Sequence, residues 1–305
     1  LLHDALHLQE QDASAWAAMG RRALDAPTCS SRLCEAAREL CAGYPIAGAA
    51  DAVSLLGASG VRRALMVAVL SERFDRSDLG NFPIEAFWAR AHRRGVEAER
   101  IAAFLQSVWT DHAYVAAYVQ DIGRPLLALH DPVRYEKVEG LSFAHGLHLL
   151  EAEQAEFGID HTLAGKWLAE TWDLPQAYVD ASWLHHHEPA AVEGLQHAVP
   201  LLDIVALAEH LARRSELGDL SGTATPNWVE ARLQRLGIEP AQLEAWASES
   251  APSGREAETP ARTHRVVPER GTPPPIPAQD RRYVALSALL DNASHFEDLA
   301  DVLGA

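Results

Sequence analysis

The chain has 305 residues, of which 48% are hydrophobic, and it carries a formal net charge of −17 at pH 7. This length allows one large or two modest domains, and the hydrophobic share supports a real core. The negative charge argues against binding to nucleic acid, which depends on a basic surface, and also against an anionic membrane surface.

The sequence contains no run of about eighteen or more apolar residues, so no membrane span is predicted. A basic segment followed by an apolar stretch, as in a secretory signal, is also missing. Three cysteines without metal-type spacing indicate a reducing compartment; they are Cys29, Cys34 and Cys41. Because the chain begins with Leu1 rather than Met, we expect a fragment or a processed form.

Helical patterns follow one another through residues 1–248, and no alternating strand pattern with hairpin turns occurs. The sequence therefore predicts an all-α fold, with an N-terminal helical part in 1–80 and a second part in 81–248. The first part contains predicted helices at 13–24 and 30–40 and helical segments between 46 and 65. The second part contains predicted helices at 82–105, 111–129, 143–157, 160–172, 174–187, 199–214, 226–236 and 240–246.

The composition changes after residue 248. Residues 249–280 are rich in proline, arginine, glutamate, threonine and serine, which favours an extended linker. Residues 281–305 are typical of one amphipathic helix with Leu286, Leu289 and Leu290 on its apolar side. Since an isolated helix is marginally stable, we expect it to dock on the body, to pair with a second copy, or to lead into a further domain.

Asp121 follows the apolar segment 114–119 and precedes Gly123, a residue typical of a helix C-cap. A carboxylate at the end of a helix built for burial needs a metal, a histidine, an arginine or several N–H donors as partner. The candidate partners come from separate helical patterns; they are His92, His161, His186, His187 and Glu209. Several helices would then converge on one polar pocket.

Four segments in order resemble the HD superfamily and, more narrowly, the HDOD output domain of bacterial signalling proteins. The first runs from Trp88 to His92, and the second is the Tyr-Val-Gln-Asp-Ile-Gly sequence at 118–123. The others are Asp-His-Thr-Leu-Ala-Gly at 160–165 with Trp-Asp-Leu-Pro at 172–175, and His-His-Glu-Pro at 186–189. The main departure is Gln120, which stands where the family has its signature histidine.

The resemblance implies a multi-helix HD-like bundle whose metal-ligand positions are His92, Asp121, His161, His186, His187 and Glu209. In catalytic relatives such residues hold iron, manganese, zinc or nickel, which activates water for phosphoryl chemistry. The neutral amide of Gln120 is a poorer ligand than imidazole, so we expect a vestigial or weak site. No cofactor is expected beyond a weakly bound divalent metal.

Each site residue also has a structural interpretation. Asp121 could be capped by N–H groups at a helix end, His161 could complete the N-cap turn of Asp160, and His92 could be a surface residue. Adjacent helical residues point about 100° apart, so at most two of the histidines at 185–187 can face one pocket. We expect His185 to be the solvated one.

Two functional hypotheses remain open. The first is a non-catalytic, cytoplasmic bacterial signal-transduction module that binds a partner protein or a small ligand, or that self-associates. The second is a metal-dependent phosphohydrolase or phosphodiesterase that acts on a nucleotide or a cyclic dinucleotide. Metal content and phosphodiester hydrolysis discriminate between them.

Overall fold

The structure is a computed structural model that describes residues 13–25, 27–40, 44–74, 79–145, 149–187, 199–217 and 226–249. Within these ranges the regular elements are helices and no strand occurs, which confirms the all-α prediction. None of the helices in them combines the length and the apolar character that a bilayer span requires. The predicted linker beyond residue 249 and the predicted terminal helix at 281–305 lie outside the described residues.

The N-terminal part contains α1 (Ala13–Leu24), α2 (Pro27–Leu40) and α3 (Ala49–Arg73). These helices enclose a small core of their own, to which Leu33, Val53 and Leu65 contribute. The long helix α3 is interrupted at Gly57, whose φ of 63° lies in the left-handed region. Glycine adopts this conformation without a Cβ clash, which accounts for the break.

The second part follows from residue 84. Its helices are α4 (Ile84–Phe104), α5 (Thr110–Val119), α6 (Gly123–His130), α7 (Pro132–His145), α8 (Leu149–Phe157), α9 (His161–Thr171), α10 (Gln176–Leu184), α11 (Val199–Leu217), α12 (Asn227–Leu236) and α13 (Pro240–Glu249). The centre is α5, whose residues from 113 to 119 are all buried. It packs against α3, α4, α10 and α11, so its C-terminal end lies deep in the bundle.

One predicted helix is divided in the structure. The prediction joined residues 111–129, whereas α5 ends at Val119 and α6 begins at Gly123. Pro125 lies in the first turn of α6, where backbone N–H groups make no hydrogen bond within the helix, so the missing N–H of proline costs nothing there. Asp121 therefore lies in a tight turn between two helices instead of on a helix end.

Candidate functional site

Four side chains from three segments meet at the end of α5. They are Asp121, His161, His185 and His186, and each offers a ligand atom that lies within 4.8 Å of the others. Asp121 comes from the turn between α5 and α6, and His161 is the first residue of α9. The two adjacent histidines follow directly after α10. We call this group the histidine–aspartate cluster.

The cluster is tightly packed. Oδ1 of Asp121 lies 3.0 Å from Nε2 of His185 and 3.4 Å from Nε2 of His161. Nε2 of His186 lies 3.2 Å from Nε2 of His161. The expectation that His185 is solvated was wrong, because its side chain is only 7% exposed. The helix ends at Leu184, and the His185 ring turns back against it, with Nδ1 3.0 Å from the carbonyl oxygen of Ala181.

Glu153, which the sequence analysis missed, orients His161 from behind. Its side chain is fully buried, and Oε2 accepts from the His161 backbone N–H at 2.8 Å and lies 2.6 Å from Nδ1 of the ring. Tyr135 donates to the other carboxylate oxygen at 3.2 Å, and Arg124 Nε donates to the Tyr135 hydroxyl at 3.0 Å. The available sequence signal was an acidic residue four positions before the buried Phe157 on one helical face.

Electrostatics set the protonation of the cluster. Burial lowers the pKa of His161, but the charges and hydrogen bonds of Glu153 and Asp121 outweigh it and raise the pKa to about 9. Burial, with the neighbouring His185 and His161, lowers the pKa of His186. Burial alone would raise the pKa of Asp121, but Arg94 holds this pKa well below its ordinary value. At neutral pH the metal-free cluster therefore holds an imidazolium at His161 between two carboxylates.

This arrangement predicts a pH-dependent stability. The folded-state pKa of His161 is about 9 against an ordinary value of 6.5, so its contribution is complete below pH 6.5 and is lost as the pH rises towards 9. We expect the free energy of unfolding of metal-free protein, measured in urea, to fall across this window. The Glu153→Gln variant is the control, and an equal fall in that variant would contradict the assignment to His161.

Arg94, also missed at first, closes the other side of Asp121. Its side chain is fully buried, and Nη1 pairs with Oδ2 of Asp121 and with Oε2 of Glu209 at 3.1 Å. Glu209 also accepts from Gln120 Nε2 at 3.3 Å and pairs with Arg213. The structure thus places Glu209 in contact with two guanidinium groups and an amide. An arginine was one of the partner classes expected for Asp121, but no local pattern distinguishes Arg94 from its neighbours Arg90 and Arg93.

Three of the predicted site residues lie outside the cluster, namely Glu209, His92 and His187. His92 is exposed on α4, and its Nδ1 lies 2.9 Å from the Tyr114 hydroxyl, on the wall of a separate cavity. The His187 side chain is exposed, and its backbone carbonyl accepts from Arg232 at 2.8 Å. The structure therefore brings Asp121, His161 and His186 together and adds His185, which the prediction had excluded.

The donor set fits one cation. With its hydrogen on Nδ1, directed at backbone carbonyls, His185 presents a bare Nε2 to the Asp121 carboxylate. This Nε2 is buried and lies 3.0 Å from Oδ1 of Asp121. Three imidazoles and one carboxylate suit iron, manganese, zinc or nickel, and Glu153 behind His161 matches the carboxylate–histidine pairs that orient metal ligands. Such a cation would polarise a bound water when present.

A second cation does not fit beside the first. The remaining oxygen of Asp121 and the carboxylate of Glu209 both contact the Arg94 guanidinium, which already supplies the positive charge there. Gln120 adds an amide in place of an imidazole. The geometry is that of a site for one metal at most.

The profile of a protein family described as the HDOD domain matches residues 41–189. The chain contains an HDOD domain. The match covers the whole histidine–aspartate cluster, whereas Glu209 lies beyond its C-terminal limit. No curated protein matches the chain significantly.

Solved structures with the same fold include other HDOD proteins. An HDOD domain protein of unknown function from Geobacter sulfurreducens aligns with a TM-score of 0.67 at 20% identity, over 82% of this chain and 87% of that one. A candidate phosphohydrolase from Shewanella amazonensis aligns with 0.64 at 19% identity, over 82% and 86%. A candidate signal transduction protein from Marinobacter aquaeolei aligns with 0.64 at 17% identity, over 82% of this chain and 55% of that one. At these identities the similarity establishes the fold.

Proposed function

We propose that this HDOD domain is a non-catalytic signal-transduction module that binds a partner protein or a small ligand and whose former metal pocket is degenerate. The observation that carries the proposal is the position of Arg94. Its buried guanidinium pairs with both Asp121 and Glu209, the two carboxylates that the family resemblance assigns to metal binding. The Arg94 guanidinium thus supplies the positive charge that a metal ion would supply to these two carboxylates.

The accessibility of the cluster supports the same conclusion. Hydrolysis at a metal centre needs an open coordination position for water and room for a phosphoryl group. Asp121 is 7% exposed, His161 1% and His185 7%, and only His186 is partly open to solvent. A bulky phosphodiester has little access to ligands that are buried in this way.

Gln120 supports it further. Its Nε2 donates to Glu209, and its Oε1 is buried without a hydrogen-bond partner among the described residues. A neutral amide offers neither the affinity of imidazole for these metals nor a proton to exchange. The residue at the signature position therefore belongs to the Arg94–Glu209 network and not to a ligand shell.

A metal-dependent phosphohydrolase is the second candidate, and the convergence of four ligand atoms within 4.8 Å favours it. One metal could bind there, and one metal can suffice for hydrolysis. The Shewanella structure with the same fold carries a phosphohydrolase description, which applies to that protein.

We expect the full chain to hold at most one equivalent of transition metal by elemental analysis. It should show no hydrolysis of a cyclic dinucleotide or of bis-p-nitrophenyl phosphate after loading with manganese or iron. The variant Gln120→His, which restores the motif imidazole, should remain inactive because Arg94 still neutralises Asp121 and Glu209. Turnover that disappears in Asp121→Ala would reject the non-catalytic proposal and establish the phosphohydrolase.

A further inference from the structure

A second cavity lies apart from the histidine–aspartate cluster, where α2 and α3 meet α4 and α5. Its volume is about 480 Å³, within the range of small-ligand sites in proteins. The lining residues that matter here are Arg32, Glu35, Arg63, Trp88, His92 and Tyr118. We call it the interhelical cavity. It lies between the N-terminal helices and the HD-like part of the bundle.

A row of parallel aromatic rings forms one wall of the interhelical cavity. Trp88 stacks on Tyr118 with ring centroids 5.5 Å apart and planes within 5° of each other. Tyr118 stacks in turn on Tyr114 at 5.8 Å and 17°. Both tyrosines are buried, whereas Trp88 is only partly buried and lines the cavity. A flat ring can pack inside the cavity against the edges of this row, between Trp88 and the Tyr114 end.

A buried cation lies at the end of this row. Arg63 is 8% exposed, and its guanidinium carbon lies 4.3 Å above the Tyr114 ring. Its ion pair among the described residues is with Glu99, whose carboxylate lies 3.8 Å from Nη1, a long contact for such a pair. Because this contact is long, the N–H groups of the Arg63 guanidinium can also donate charge-assisted hydrogen bonds to an anionic ligand.

The other charged groups on the wall are one cation, Arg32, and two carboxylates, Glu35 and Glu85. Arg32 pairs with Glu35 at 3.0 Å across one helical turn of α2. Glu35 and Glu85 also line the cavity, and carboxylates accept hydrogen bonds from the amino groups of a heteroaromatic ring. A ligand that matches this wall has a flat ring with N–H donors and one anionic group.

We propose that the interhelical cavity binds a purine mononucleotide, with its base against the row of Trp88 and Tyr118 and its phosphate at Arg63. The aromatic wall selects the base, the carboxylates accept from its exocyclic amino group, and the buried guanidinium anchors the phosphate. This site is independent of the histidine–aspartate cluster, and its existence depends on neither metal binding nor catalysis.

The test is calorimetric titration of the full chain with AMP and with GMP, with adenosine and ribose 5-phosphate as ring-only and phosphate-only probes. We expect at least one of the nucleotides to bind and both partial probes to bind at least about tenfold more weakly. The absence of binding by AMP and GMP would overturn the proposal. Equal binding of ribose 5-phosphate would overturn it as well, because the cavity would then be only an anion site.

Matched variants place the binding in this cavity. Arg63→Gln and Trp88→Leu should each weaken nucleotide binding by about tenfold or more, since they remove the anion anchor and part of the aromatic wall. Arg93→Gln removes the same charge from an exposed position on α4 and should bind as the wild type does. Circular dichroism confirms folding of each variant, and Trp88→Leu carries the test if Arg63→Gln unfolds. Unchanged affinity in folded Trp88→Leu would place the ligand elsewhere.

Discussion

Replacement of Arg94 by methionine is expected to lower the free energy of unfolding of the metal-free protein by about 3–5 kcal/mol. Methionine keeps much of the side-chain volume but removes the cation that pairs with Asp121 and Glu209. The buried Asp121 carboxylate would then lose its guanidinium partner, and an uncompensated buried charge is more costly than the loss of the pair as a whole. Urea denaturation in the presence of a chelator measures the loss.

The same variant should respond to metal. A divalent cation can restore the charge that Arg94 supplied, so zinc or manganese should stabilise Arg94→Met more than it stabilises the wild type. The matched control is Arg213→Met, which removes a guanidinium from the same Glu209 but from a side chain that is 58% exposed. Its loss should be at most about 1 kcal/mol. Equal losses in the two variants would contradict a special role for the buried guanidinium.

Gly123→Ala should be among the most destabilising single-methyl changes in the chain. An added Cβ would lie 1.9 Å from the His161 carbonyl oxygen and 2.7 Å from the Gly165 backbone nitrogen. Both are backbone atoms of α9, which cannot turn aside as a flexible side chain does. We expect a loss of about 3 kcal/mol or more in the free energy of unfolding, measured by urea denaturation.

Gly140→Ala is the matched control for this change. Gly140 lies within α7, and an added Cβ meets nothing within 4 Å. Alanine is the better helix former, so this variant should gain up to about 1 kcal/mol. A Gly123→Ala variant as stable as the wild type would mean that α6 and α9 do not approach each other as closely as described. Because this contact sets the distance between Asp121 and His161, the variant should also bind metal more weakly.

Helical periodicity and turn residues predicted the fold class because they are local properties. Asp160 illustrates this: its side chain accepts from the backbone N–H groups of Thr162 and Leu163, as its place before an apolar pattern indicates. The division between α5 and α6 was missed. A proline is common both just after the C-terminus of one helix and in the first turn of the next, so Pro125 alone does not show where one helix ends and another begins.

The cluster was predicted only in part, for a different reason. The family resemblance pointed to Asp121, His161 and His186, which the structure brings together. Arg94 and Glu153 are charged residues in helical patterns, and charge there usually means a solvent-exposed face. Their burial depends on which helices meet, which is a property of the tertiary fold. The helical rule of 100° per residue allowed two of the histidines at 185–187 to face one pocket, as His185 and His186 do, but it does not say which two, and the exposed one is His187.

The buried network at the end of α5 has a balanced charge. Among the described residues that compose it, Asp121, Glu153 and Glu209 are negative, and Arg94, Arg124 and the protonated His161 are positive. Neutrality is reached with a proton on His161 and with the guanidinium groups of the chain's own arginines, so it does not depend on a metal ion. The native state should therefore persist through trace-element starvation, and a chelator should leave it folded.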